Sequence, residues 1–136
     1  MAGADCIFCA ILAGEIPATI IREDERTVAF MDINPATRGH CLVIPRNHCD
    51  DAIAATPEDL AACAVAAGEL AGRAVEQLAA DGAAIVSFAR PAAGQTVFHL
   101  HFHVVPRYSG DGLELPWLPT PGDPAEIAAA AEALSR

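Results

Sequence analysis

Residues Phe98 to Pro106 read Phe-His-Leu-His-Phe-His-Val-Val-Pro, and the three histidines fall at every second position. A β-strand sends alternate side chains to opposite faces. On a strand, His99, His101 and His103 share one face, and Leu100, Phe102 and Val104 share the other. A helix would scatter the same three around its circumference. The alternation therefore predicts a strand over Thr96 to Val105, with imidazoles on one side and an apolar core on the other. The whole chain holds only five histidines. Three on one face make a cluster that can donate, accept, bind a metal or attack phosphorus.

The other elements follow from local signals. Asp5 is expected to cap a short helix running to Leu12 and ended by Gly14. Ala18 to Arg22 and Thr27 to Ile33 read as strands about the polar turn Glu23-Asp24-Glu25-Arg26, and Asn34-Pro35 stops the second. His40 to Pro45 is a compact apolar strand. Thr56-Pro57-Glu58-Asp59 opens a long helix, with a capping hydroxyl, proline in the first turn and acids at the positive end. Leu60, Ala64, Ala67, Ala71, Ala74 and Leu78 keep helical spacing, and Asp81-Gly82 is expected to end it. Ala83 to Phe88 reads as a fourth strand. A proline-rich segment runs from Pro116 to Pro124, and Asp123 caps a last helix reaching Leu134. Five strands joined mostly by short turns, with one long helix, predict an α+β fold.

Composition removes several function classes. The formal net charge is −10 over 136 residues, which argues against a surface that wraps nucleic acid. It leaves room for a small nucleotide, because backbone N–H groups and imidazoles can hold one phosphate locally. No run of eighteen apolar residues predicts a membrane span. Asp5 and Cys6 come too early for a basic-plus-apolar leader, so a cytoplasmic location is the expectation. The length suits one domain over residues 1–136. The five cysteines do not suggest a disulfide framework. Cys6 and Cys9 form a C-x-x-C, which by itself reads as a metal grip, a redox pair or two buried thiols.

Four segments carry a resemblance. They are Cys6-Ile7-Phe8-Cys9, Phe30-Met31-Asp32-Ile33, Gly39-His40-Cys41-Leu42-Val43-Ile44-Pro45, and Ala93-Gly94-Gln95-Thr96-Val97-Phe98-His99-Leu100-His101-Phe102-His103. Together, and in this order, they resemble the histidine-triad family of nucleotide hydrolases and transferases. The resemblance implies a five-stranded antiparallel sheet with one long helix packed on it and short N- and C-terminal helices. It also implies a homodimer that extends the sheet.

For the chemistry, the resemblance implies that His101 is the nucleophile toward an α-phosphate, that His103 contacts the phosphate or leaving group, and that His40 helps orient the site. Neutral imidazole suits such attack at pH 7, with no catalytic metal needed. Gln95 and Thr96 match positions that donate to phosphate oxygens. Asp32 matches the ribose ligand, and Ile7, Phe8, Ile11, Phe30 and Ile33 match the wall of a purine pocket. Bacterial members with the C-x-x-C resemble this chain at Cys6, Cys9, His48 and His99, which implies a structural zinc ion in an S₂N₂ shell. One departure stands out. Related sequences usually carry an asparagine in the loop where this chain has Ser87-Phe88-Ala89-Arg90-Pro91, so its phosphate or leaving-group contact is expected to be either missing or supplied by Ser87 or Arg90. The expected activity is hydrolysis of a nucleoside phosphoramidate or dinucleoside polyphosphate to a nucleoside monophosphate. Nucleotidyl transfer and nucleotide-binding regulation with incidental turnover are the alternatives.

Overall fold

The computed structural model describes residues 5–114 and 117–136. The elements in order are α1 (Ile7–Leu12), β1 (Ile20–Glu23), β2 (Thr27–Met31), β3 (Cys41–Pro45), α2 (Pro57–Leu78), β4 (Gly82–Val86), a 3₁₀ turn (Pro91–Ala93), β5 (Phe102–Arg107) and α3 (Pro124–Leu134). The five strands form one sheet in the order β1-β2-β3-β5-β4, and every neighbouring pair is antiparallel. The expected α+β fold is the observed one.

The central strands β2 and β3 are buried almost throughout, because the sheet is covered on both faces. Alternate residues feed two cores. Ala29, Cys41 and Val43 pack with Cys63, Ala66, Ala67 and Leu70 of α2. Val28, Phe30, Leu42 and Ile44 pack on the opposite side with Phe8 of α1. Leu100 and Val104 join the α2 core, with Phe102 against it. That places the histidines on the α1 side, as the alternation predicts.

The helix signals hold where they are strongest. Thr56 accepts the Asp59 N–H at 3.2 Å, with Pro57 at the first position. Asp123 caps α3 through the Glu126 N–H. Two ends differ from expectation. Cys6, not Asp5, is the cap of α1, its sulfur accepting the Cys9 N–H at 3.3 Å. The end of α2 comes at Ala79, which adopts φ 58°, and Gly82 already belongs to β4.

The histidine strand is also shorter than the period suggests. Regular pairing begins only at Phe102. Upstream, the Leu100 N–H donates to the Cys49 carbonyl at 2.7 Å, and the His101 carbonyl accepts the Ser87 hydroxyl at 2.8 Å. These backbone groups are satisfied by a loop and a side chain instead of a ladder. The proline-rich segment begins at Pro116, which lies outside the described residues; Trp117 and Leu118 after it are exposed. Among the described residues no helix is long and apolar enough to cross a membrane.

Candidate functional site

The N-terminal helix, the turn after β3 and the start of the histidine segment bring Cys6, Cys9, His48 and His99 together, their donor atoms all within 4.8 Å of one another. Cys6 Sγ lies 3.4 Å and Cys9 Sγ 3.6 Å from His99 Nδ1. Cys9 Sγ lies 3.3 Å from His48 Nδ1, and the two Nδ1 atoms are 3.2 Å apart. A tetrahedral zinc with bonds of about 2.0 to 2.3 Å has ligand–ligand edges of about 3.3 to 3.8 Å, so the spacing fits. The far nitrogens fit as well. His99 Nε2 donates to the Pro45 carbonyl at 2.9 Å, and His48 Nε2 faces Asp50 Oδ1 at 3.2 Å. Each ring is thus held with the Nδ1 lone pair turned inward, the arrangement a metal-binding imidazole needs. Burial raises the Cys9 thiol to about 11, with Cys6 beside it adding to the effect.

Beside this cluster lies a cavity of about 480 Å³. Ile7, Phe8 and Ile11 of α1 wall it, with Phe30, Leu42 and Val97. Asp32, His40, Thr96, His101 and His103 stand at its polar side. Ile33 lies at the rim and is 90% exposed. Every residue expected at the nucleotide lines this one space except Gln95. Gln95 is buried, and its amide hydrogens go to the carbonyls of Asp50 at 2.5 Å and Val97 at 3.0 Å, while its oxygen accepts the Arg90 N–H. No amide hydrogen is left for a phosphate, so the expected donor is instead a tie between three loop segments. The expected substitutes for the missing asparagine are engaged elsewhere too. The Ser87 hydroxyl donates to the His101 carbonyl, and the Arg90 guanidinium lies 3.9 Å from Asp51.

The hydrogen bonds assign the tautomers. His101 Nδ1 donates to the His99 carbonyl at 2.8 Å, which leaves Nε2 with its lone pair. The Ala36 N–H donates to His40 Nδ1 at 2.9 Å, so the His40 proton sits on Nε2. That proton faces His103 Nδ1 at 3.0 Å and Asp32 Oδ2 at 3.4 Å. His103, accepting at Nδ1, carries its own proton on Nε2. Asp32, His40 and His103 also stand close enough to be ligands. An ion there would need the His40 Nε2 lone pair, which the Ala36 N–H denies it.

Burial lowers the pKa of His40, with Asp32 partly opposing. Burial likewise lowers that of His101, against its bond to the His99 carbonyl. His103 is pushed down to about 4 by burial and by the neighbouring His101 and His40. The three imidazoles are neutral at pH 7. Phe8 packs edge-on against both His99 and His101, at centroid distances of 5.9 and 5.1 Å.

The sequence reading missed Ile16, Pro17, Ala18, Met31, Asn34, Leu42 and Val97 in the cavity lining. It also missed Asp50 behind His48. The i, i+2 placement of His48 and Asp50 was a usable signal. The others are ordinary apolar or turn residues, and only the chain's path marks them.

Comparison with known proteins agrees with this geometry. The family model described as HIT domain matches residues 13–110. A HIT-like protein of Methanocaldococcus jannaschii is 43% identical over 107 residues, covering 79% of this chain and 82% of its own. The crystal structure of a zinc-bound histidine triad family protein from Mycobacterium smegmatis superposes with a TM-score of 0.79 at 44% identity, over 96% of each chain. A histidine triad nucleotide-binding protein from Candida albicans superposes at 0.84 with 28% identity, over 96% of this chain and 95% of its own. The triad, the cavity it edges and the family match over most of the sequence lead to one conclusion: this chain belongs to the HIT family.

Proposed function

We propose that the protein is a hydrolase acting at the α-phosphate of a purine nucleotide derivative through a covalent nucleotidyl intermediate on His101, releasing a nucleoside monophosphate. The observation that carries this reading is the bond from His101 Nδ1 to the His99 carbonyl. It leaves Nε2 unprotonated, and burial keeps the ring neutral at working pH. The lining suits the rest of the ligand. Ile7, Phe8, Ile11, Phe30 and Ile33 offer an apolar slot for a base, Asp32 an acceptor for ribose hydroxyls, and Thr96 a hydroxyl for a phosphate oxygen. The Candida albicans neighbour is described as nucleotide-binding.

The steps follow from the tautomers. The Nε2 lone pair of His101 attacks phosphorus, and the bond to the leaving group breaks. The leaving group departs with a proton from a water molecule, and His103, whose Nδ1 accepts the His40 Nε2–H, steadies the departing atom with a hydrogen bond from its own Nε2–H. The hydroxide left from that water then attacks phosphorus, its P–O bond forming as the P–Nε2 bond breaks, which frees the monophosphate and neutral His101. Cys6, Cys9, His48 and His99 would hold zinc. The ion supplies a cross-link between α1 and the histidine segment, and no reacting group.

We further propose a homodimer. Among the described residues the outer edge of β4 has no strand partner, and Ile85 on it is 43% exposed. On α2, Ala61, Val65, Gly68, Gly72 and Val75 form a second stripe away from the core. A Cβ at either glycine would meet nothing within 4 Å in the monomer. Helix glycines cost about 1 kcal/mol each relative to alanine, and close approach of a second copy gives them a reason.

Incubation with an adenosine phosphoramidate and with a diadenosine polyphosphate, followed by product analysis, tests the activity. His101→Ala should abolish turnover and leave monophosphate affinity within a few-fold, because an interaction used only in the chemical step lowers kcat. Acid-quenched wild-type protein should show an adduct of one nucleotidyl group that the variant lacks. Near-normal turnover by His101→Ala would remove the assignment.

A further inference from the structure

The order of strands gives the cavity a direction. Its nucleoside end is built over β2 and β3, from Phe30, Asp32 and Leu42, under the wall of α1. His101 and His103 belong to the next segment across, the one that enters β5. The strand beyond β5 is β4. A substrate with its base under α1 and its α-phosphate at His101 therefore extends past His103 toward β4, whatever its leaving group is.

That side is apolar. Val86 is the cross-strand partner of His103, so the two side chains share a face. Phe88, two residues further on, brings its ring centroid to 5.6 Å from that of His103 at an interplanar angle of 54°. Val86 is 36% and Phe88 38% exposed, so both present hydrocarbon beside the His103 ring. The residues lining the cavity include no arginine, and the chain contains no lysine at all. Arg90, the arginine of this loop, stands against the Asp51 carboxylate. A leaving group made of a second nucleotide carries several negative charges, for which the hydrocarbon of Val86 and Phe88 offers no partner. An amine with an aromatic or alkyl substituent meets Phe88 and Val86.

We propose that Phe88 is a specificity-determining residue, selecting substrates whose leaving group is an apolar, preferably aromatic, amine over those whose leaving group is a nucleotide. The proposal rests on the hydrolase reading above. In the step concerned, the P–N bond breaks as the His101 Nε2–P bond forms, and the departing amine takes a proton from water while His103 hydrogen-bonds to it. Phe88 takes no part in bond making. It holds the substituent on the amine.

The test uses three substrates: the adenosine 5′-phosphoramidates of methylamine and of 2-phenylethylamine, and diadenosine tetraphosphate. Wild type, Phe88→Ala and Phe88→Asn are compared by kcat/KM. Wild type should favour the phenylethyl over the methyl compound by about tenfold, the scale of one well-placed aromatic contact. Phe88→Ala should bring that ratio to within about twofold of one. Phe88→Asn should do the same and raise the relative rate on the tetraphosphate. Ratios within one preparation do not depend on how much of it is folded. An unchanged phenylethyl-to-methyl ratio in Phe88→Ala, in a protein that turns over both compounds, overturns the role of Phe88 and leaves the hydrolase reading standing. Absence of turnover on all three by wild type overturns both.

Discussion

The carbonyl oxygen of His99 accepts the Nδ1 proton of His101 at 2.8 Å, while the His99 ring faces two cysteines and His48. One residue therefore belongs to both clusters. Its side chain helps to form the metal cradle, and its backbone sets the tautomer of the proposed nucleophile.

Protein purified without chelator should contain about one zinc per chain, given the four-ligand shell. Cys9→Ser should lose most of that metal and melt at a lower temperature, because Phe8 is the one fully buried residue of α1 and the ion would tie the helix to the histidine segment. Metal analysis and thermal denaturation check this. A metal-free preparation of full stability, unchanged by the substitution, would rule out the site.

Asp32→Ala should weaken nucleotide binding by about 1 to 3 kcal/mol, the range for removing a charged hydrogen-bond partner. The carboxylate already accepts the Asn34 N–H at 2.8 Å, but it has lone pairs to spare for two hydroxyls. Titration calorimetry with a nucleoside monophosphate and its 2′,3′-dideoxy analogue separates the roles. The analogue should bind wild type more weakly than the parent does, and Asp32→Ala nearly equally. Losses that simply add would mean that Asp32 does not touch the ribose.

Gly39→Ala should destabilise the fold by about 1 to 3 kcal/mol in urea titration. Gly39 has φ +90°, and a Cβ there would stand 2.5 Å from Leu78 Cδ1 and 3.2 Å from Pro106 Cγ. The residue presents His40 to the site, so turnover should fall as well. A variant as stable as wild type would show that the loop can shift at no cost.

Stability should decline as pH falls from 6.5 toward 4. His103 sits at about 4 in the folded chain against an ordinary 6.5, chiefly because it is buried. Between those values the unfolded chain binds a proton that the native chain does not, so lowering the pH favours unfolding. His40 and His101 are shifted in the same direction and add to the slope. His103→Gln should flatten the dependence, measured as denaturation free energy at pH 7, 5.5 and 4.5. Identical slopes in both proteins would contradict a neutral, buried His103.

Much of the molecule was legible from sequence because its signals are local. The period-two histidines, the C-x-x-C, the Thr56-Pro57 start of α2 and the apolar run of β3 each depend on side-chain direction or capping within a few residues. These set the element types, the α+β class and the residues able to do chemistry. Tertiary structure decided what local pattern cannot carry. His103 meets His40 across a separation of 63 residues, and Cys6 meets His99 across 93. The Leu100 N–H is claimed by the Cys49 carbonyl, which keeps the first two histidines out of the regular strand although their alternation survives. Gln95 looks like a phosphate donor from its place beside the triad. Its amide is instead consumed by Asp50, Val97 and Arg90, because a buried polar group must be satisfied by whatever backbone the fold brings to it.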